Sequence, residues 1–208
     1  MDANDLILFI AASWILIITP GPDMLYVITR GISQGPKAGV ISAVGVTLGI
    51  FIHTLFAALG LAVILRTSAI AFFMVKYIGA LYLVYLGIKT LTDKSSMVLQ
   101  RSGESAKIKT IFIQGMLSNV FNPKIALFFL AFLPQFVKPE NGSVPLQMIF
   151  LGLSFASFGI VFLILLGYFS GNVGTWLSRR HSVANKVRRL TGSILIALGL
   201  RLAFIEQK

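Results

Sequence analysis

Six long apolar blocks restrict this chain more than any other feature: Leu6–Ile18, Ala38–Leu65, Ala69–Leu91, Ile111–Leu133, Leu146–Phe169 and Leu190–Ile205. Several reach the roughly 20 residues a helix needs to cross about 30 Å of hydrocarbon. Inside lipid no water serves the backbone, so a spanning segment closes its hydrogen bonds internally, as a helix or in a sealed barrel. The short alternating strands of a barrel do not occur in the pattern. The expected fold is an all-α integral membrane protein with six transmembrane helices and no second, soluble domain. Charge agrees, since Asp, Glu, Lys and Arg make up only 12% of the residues, about half the share of a soluble domain.

The formal net charge of +11 raises the question of nucleic acid, and the placement of the charges argues against it. Basic residues fall between the apolar blocks, with no aromatic stacking surface among them. Arg30 and Lys37 follow block one. Lys89, Lys94, Arg101, Lys107 and Lys109 surround the connection after block three. Arg179, Arg180, Lys186, Arg188 and Arg189 follow block five. This alternation is the positive-inside signature. It puts those three connections in the cytoplasm and both termini outside, in a bacterial inner membrane or its equivalent. The start, "MDANDLILF", is acidic where a signal peptide is basic, so no cleavage is expected. With no cysteine, disulfides, thiolate catalysis and cysteine–metal sites drop out.

Thr92–Lys109 is the longest polar stretch and divides the chain into two sets of three blocks. The expected organisation is a first three-helix repeat over 1–91, a cytoplasmic linker over 92–109, and a second repeat over 110–208, all in one membrane domain. Block three contains "GALYLVYLGIK" and block six "GSILIALGLR", with similar glycine spacing and a basic residue two places after the second glycine. An odd number of spans per half turns the halves upside down relative to each other, the inverted-repeat plan of many secondary transporters.

Blocks one and four are both interrupted. Pro20, Gly21 and Pro22 lie in the first path, followed by Asp23; Asn119, Asn122, Pro123 and Lys124 lie in the fourth. Proline removes a donor and clashes with the preceding turn, so helices 1 and 4 should be broken. The freed backbone groups must face protein or a water-filled cavity. An acid at bilayer depth needs a partner or water as well. The two breaks are expected to meet near the midplane, with helix ends offering N–H groups to an anion and carbonyls to a cation. Asp23 would partner an ammonium or a coupling proton. Lys124 would hold a carboxylate or neutralise Asp23, and a purely structural Asp–Lys pair is the plainer alternative. His53, inside block two, is either a proton carrier or a packing residue bonded to a backbone carbonyl. Gly31, Gly35 and Gly39, and Gly45 and Gly49, recur every four residues. They mark close helix contacts within the protomer, or else a homodimer face. Ser154 and Ser157 line a path or bond back to their own helix.

Together "TPGPDMLYVITRGISQGPKAGVISAVGVTLG", "YIGALYLVYLGIKTL" and "GMLSNVFNPKIALFFLAFLPQFV" resemble the LysE/RhtB family of bacterial amino-acid exporters, over nearly the whole chain. The resemblance implies a six-helix inner-membrane exporter, driven by an ion gradient, that removes excess amino acids. The family's proline-rich break maps onto Thr19–Asp23 and its NPK segment onto Asn122–Lys124. A polar position in the second helix, acidic in some exporters of basic amino acids, falls on His53. That points to neutral substrates such as homoserine, threonine or leucine-like amino acids.

The expected function is therefore proton-coupled export of a small amino acid by alternating access, with the lipid bilayer as its setting and no cofactor or metal. No phosphate-binding "GxxxxGK[ST]" loop occurs, so the energy is that of a gradient. A metal or other cation exporter is the alternative; two histidines, seven acids and no cysteine supply few ligands for one. A hydrolase using Ser118 or Ser157 with His53 lacks a nucleophile elbow and an acid partner, so no enzyme is expected.

Overall fold

A computed structural model describes residues 3–61, 69–92, 106–171 and 181–204. Every regular element among them is helical. Helix α1 covers Ala3–Ile18, α2 Pro22–Gln34 and α3 Pro36–Phe56, which runs on into a π-helical turn at Ala57–Leu61. Helix α4 covers Ala69–Thr92, α5 Ile108–Val120 and α6 Pro123–Leu127. Helix α6 continues through a π-helical turn, Phe128–Phe132, and a 3-10 turn, Leu133–Phe136. A short 3-10 turn at Pro139–Asn141 precedes α7, Val144–Tyr168, and α8 covers His181–Phe204. Most of the expected linker, residues 93–105, lies outside the described residues.

Prolines start the helices. Pro22, Pro36 and Pro123 each stand first in α2, α3 and α6, where a missing N–H costs nothing. Between α2 and α3, Gly35 has φ +86°, a left-handed conformation that favours glycine. An added Cβ there would meet nothing within 4 Å. Gly35 is thus a turn residue, and not the helix contact that its four-residue spacing indicated.

Both interrupted blocks are broken as expected. Asn4–Ile18 and Pro22–Gln34 meet at a 49° bend, and Ile108–Val120 and Pro123–Phe136 at 46°. Pro36–Gly60 and Val144–Tyr168, 25 residues each, are long and apolar enough to span alone, and each bent pair is so when taken as one path. Helices α4 and α8 are 24 residues long. In α8 the apolar stretch is shorter, Gly192–Phe204, because Lys186 and Arg189 occupy its first turns.

Helix α3 is the hub, packed against α2, α5 and α7, while α4 and α8 lie along each other. Small residues permit these crossings. A Cβ on Gly167 of α7 would stand 2.6 Å from the Gly39 backbone of α3, and one on Gly49 of α3 2.6 Å from Asn119 Cβ of α5. Of the glycines shared by blocks three and six, Gly87 and Gly192 face each other, a Cβ on Gly87 lying 2.7 Å from the Gly192 oxygen; a Cβ on Gly199 would lie 2.8 Å from the Ala80 oxygen, and Gly79 packs against Ala131. Phe128, at the π-helical turn, stacks on Phe132 at 5.2 Å and meets Phe155 of α7 at 5.0 Å. Outward faces carry large apolar side chains, with Leu81 71% and Phe204 81% exposed, as a lipid-facing surface requires. At one end of the molecule Lys138 pairs with Asp5 at 3.0 Å, tying the start of α1 to the segment before α7.

Candidate functional site

The first break follows from hydrogen-bond accounting. In a continuous helix the Leu16 carbonyl would accept from residue 20. Residue 20 is Pro20, which has no N–H. The Lys124 ammonium takes the vacant role, donating to the Leu16 oxygen at 3.1 Å and to the Thr19 oxygen at 2.9 Å. It thereby caps the negative end of α1 with a positive charge. Gly21 makes room for it: a Cβ there would lie 3.1 Å from Lys124 Nζ. Thr19, fully buried, turns its hydroxyl back to the Ile15 oxygen at 2.6 Å.

The second break repeats the pattern. The helical partner of the Asn119 carbonyl would be residue 123, again a proline. His53 of α3 meets that oxygen through Nε2 at 3.1 Å, and the Asn122 N–H reaches it at 2.9 Å. Because a carbonyl only accepts, the His53 Nε2 carries the hydrogen. Asn122 caps α6, its Oδ1 accepting from the Lys124 N–H at 3.0 Å.

The two breaks then lock together. Asp23, in the first turn of α2, accepts from Asn119 Nδ2 at 2.7 Å and Asn122 Nδ2 at 2.9 Å on one oxygen, and from the Ser118 hydroxyl at 3.3 Å on the other. Each break thus supplies a charge that satisfies the other. Asp23 and Lys124 are only 7% and 6% exposed. They form no salt bridge: Lys124 Nζ goes to carbonyls and Asp23 to amides and a hydroxyl. The simple Asp–Lys pair considered from the sequence is therefore replaced by two crossed sets of bonds.

Of the expected site residues, Pro20, Gly21, Pro22, Asp23, His53, Asn119, Asn122, Pro123 and Lys124 all lie at these two breaks or bond to them. Ser154 and Ser157 do not join them; their hydroxyls return to the Phe150 and Leu153 oxygens of their own helix at 2.8 Å each. Beside the locked breaks lies a cavity of about 30 Å³, with Asp23, Asn119 and Lys124 on its polar side. The rest of its lining is apolar and includes Val46, Ile50, Phe155, Gly159 and Leu163. Such a volume accommodates about two water molecules, so any larger ligand requires the helices to part.

The sequence alone missed three parts of this arrangement. Counting four residues back from Pro20 and Pro123 identifies the orphaned carbonyls, and that count was available. Ser118, weighed from the sequence only as a hydrolase nucleophile, is instead a donor to Asp23. Tyr26, Arg30 and Gln114 link α2 to α5: Arg30 donates to Gln114 Oε1 at 2.6 Å, Tyr26 donates to the Ile111 oxygen at 2.8 Å, and the guanidinium sits 5.5 Å from the Tyr26 ring centre.

Comparison with known proteins agrees with the resemblance. Residues 14–205 match the family model described as LysE type translocator. An uncharacterized membrane protein, YrhP, of Bacillus subtilis (strain 168) is 33% identical over 95% of this chain and 98% of its own length. Proteins named leucine efflux protein from Klebsiella pneumoniae and Salmonella typhimurium are each 30% identical over 95% of this chain and 94% of theirs. No solved structure gives a significant match.

Proposed function

Because this chain belongs to the LysE type translocator family, we propose that it exports neutral amino acids across the bacterial inner membrane by proton-coupled alternating access. One observation carries the proposal: a buried carboxylate and a buried ammonium, held at two crossed helix breaks, flank one cavity. An amino-acid zwitterion carries the complementary pair, with its ammonium for Asp23 and its carboxylate for Lys124. The charge balance favours a neutral substrate. Asp23 and Lys124 sum to zero, and a zwitterion leaves that sum unchanged. A lysine would add an uncompensated positive charge in a medium where that costs several kcal/mol. The relatives named leucine efflux proteins support the same substrate class.

Coupling follows from competition for one carboxylate. Asp23 cannot hold both a proton and the ammonium of a substrate. A proton arriving from outside displaces the substrate, and loss of the proton inside restores the site for the next one. In the collapsed cavity the Asn119 and Asn122 amides occupy the carboxylate and the carbonyls at Leu16 and Thr19 occupy the ammonium. Substrate enters by taking Asp23 and Lys124 from these internal partners, and water reaching the opened site must then serve the freed amides and carbonyls. In the fold proposed with this mechanism, 1–91 and 110–208 are two inverted three-helix repeats joined by 92–109, with six spans. The two breaks are then the equivalent elements of the halves.

The test is growth protection. Cells expressing the protein and fed toxic amino acids or their dipeptides should survive better than cells expressing Asp23→Ala. Protection against a toxic metal, with none against any amino acid, would give the alternative of a cation exporter.

A further inference from the structure

The glycines of this chain separate into two kinds. Every other buried helical glycine among the described residues would place a Cβ 2.8 Å or less from a neighbouring atom, so close packing accounts for its small size. Gly159 differs. It is buried in the middle of α7, yet the nearest atom to its Cβ position is Ile50 Cδ1 of α3 at 3.5 Å, an ordinary contact, and nothing else lies within 4 Å. Packing does not require a glycine there. The space it leaves borders the cavity that Asp23 and Lys124 also line.

We infer that Gly159, with Ile50 opposite, is the specificity-determining position for the substrate's side chain, and that it keeps room for an aliphatic side chain larger than that of alanine. This rests on the amino-acid export proposed above. With the α-ammonium at Asp23 and the α-carboxylate at Lys124, the side chain meets the rest of the lining, which is apolar except for Asn119 and includes Val46, Ile50, Phe155, Gly159 and Leu163. Asn119 Oδ1, buried without a hydrogen-bond partner, is the acceptor that a hydroxylated side chain would have to reach instead. A methyl group on Gly159 would occupy the place of one carbon of the substrate, and one methylene in an apolar pocket changes selectivity about 10-fold or more.

Efflux of leucine and of alanine from loaded proteoliposomes tests this. Gly159→Ala should lower the leucine-to-alanine efflux ratio about 10-fold. Adding Ile50→Val, which removes a carbon from the facing wall, should restore most of the ratio. Ile50→Val alone should extend export towards bulkier apolar side chains, a result that does not depend on the folding of the glycine variant. A parallel fall for both amino acids in Gly159→Ala would assign the glycine to helix flexibility and overturn the inference. So would an unchanged ratio in all three variants. Wild-type protein that exports neither amino acid would overturn the exporter proposal itself, and the inference with it.

Discussion

At the scale of single residues, four positions explain each other. Pro20 and Pro123 each remove the donor that a carbonyl four residues earlier would have used, at Leu16 and Asn119. Lys124 and His53 supply replacements. Lys124 therefore has a structural duty besides any role with substrate. Lys124→Met would leave the Leu16 and Thr19 carbonyls buried without this donor and the Asp23 charge without its counterpart. Removal of one member of a buried charged set costs about 3–5 kcal/mol, so the variant's thermal unfolding in detergent should shift well below that of wild type. Adding Asp23→Asn should recover part of the loss, because neutral Asn still accepts from Asn119 and Asn122 and leaves no lone charge. Two additive losses would show that the charges do not communicate. The identities of these residues were legible in the sequence, because prolines, an acid and a lysine are conspicuous inside apolar blocks. Their pairing was not legible. Opposite charges at two breaks are expected to bond each other, whereas each finds better partners among backbone and amide groups across the junction.

At the scale of helices, bends and glycine crossings carry the architecture. The 49° and 46° bends follow from local chemistry, so both breaks could be placed from sequence. Contact partners could not. The four-residue glycine spacing placed Gly31, Gly35 and Gly39 on one face, but only coordinates show Gly31 and Gly39 against α7 and Gly35 in a turn. Periodicity reports which face is small and not which helix it meets. The crossing of α3 and α7 is a close one, since a methyl on Gly167 would stand 2.6 Å from the Gly39 carbonyl carbon and 2.7 Å from its oxygen. Backbone cannot yield as a side chain can. Gly167→Ala should destabilise the protein by about 1–3 kcal/mol, read as a fall in detergent melting temperature. Gly60→Ala, at a site with nothing within 4 Å of its Cβ, should leave the temperature nearly unchanged. Equal behaviour of the two would contradict the crossing.

At the scale of the whole molecule, orientation and mechanism meet. The alternation of basic connections predicts that the turn before α3 lies inside the cell and the turn before α7 outside. The cysteine-free sequence is a ready background for labelling. Lys37→Cys and Asn141→Cys, both at exposed positions, should react with an impermeant maleimide from opposite sides of the membrane. Labelling of both from one side would reverse this topology. The central claim is that the carboxylate at the first break holds the ammonium of the substrate in exchange for a proton. Leucine efflux from proteoliposomes under an imposed pH gradient, compared between wild type and Asp23→Asn, tests it most directly. The account predicts gradient-dependent efflux by wild type and at least about a 10-fold loss in Asp23→Asn, in protein whose folding is verified by its melting temperature in detergent. Efflux by Asp23→Asn at the wild-type rate, with the same dependence on the gradient, would contradict it.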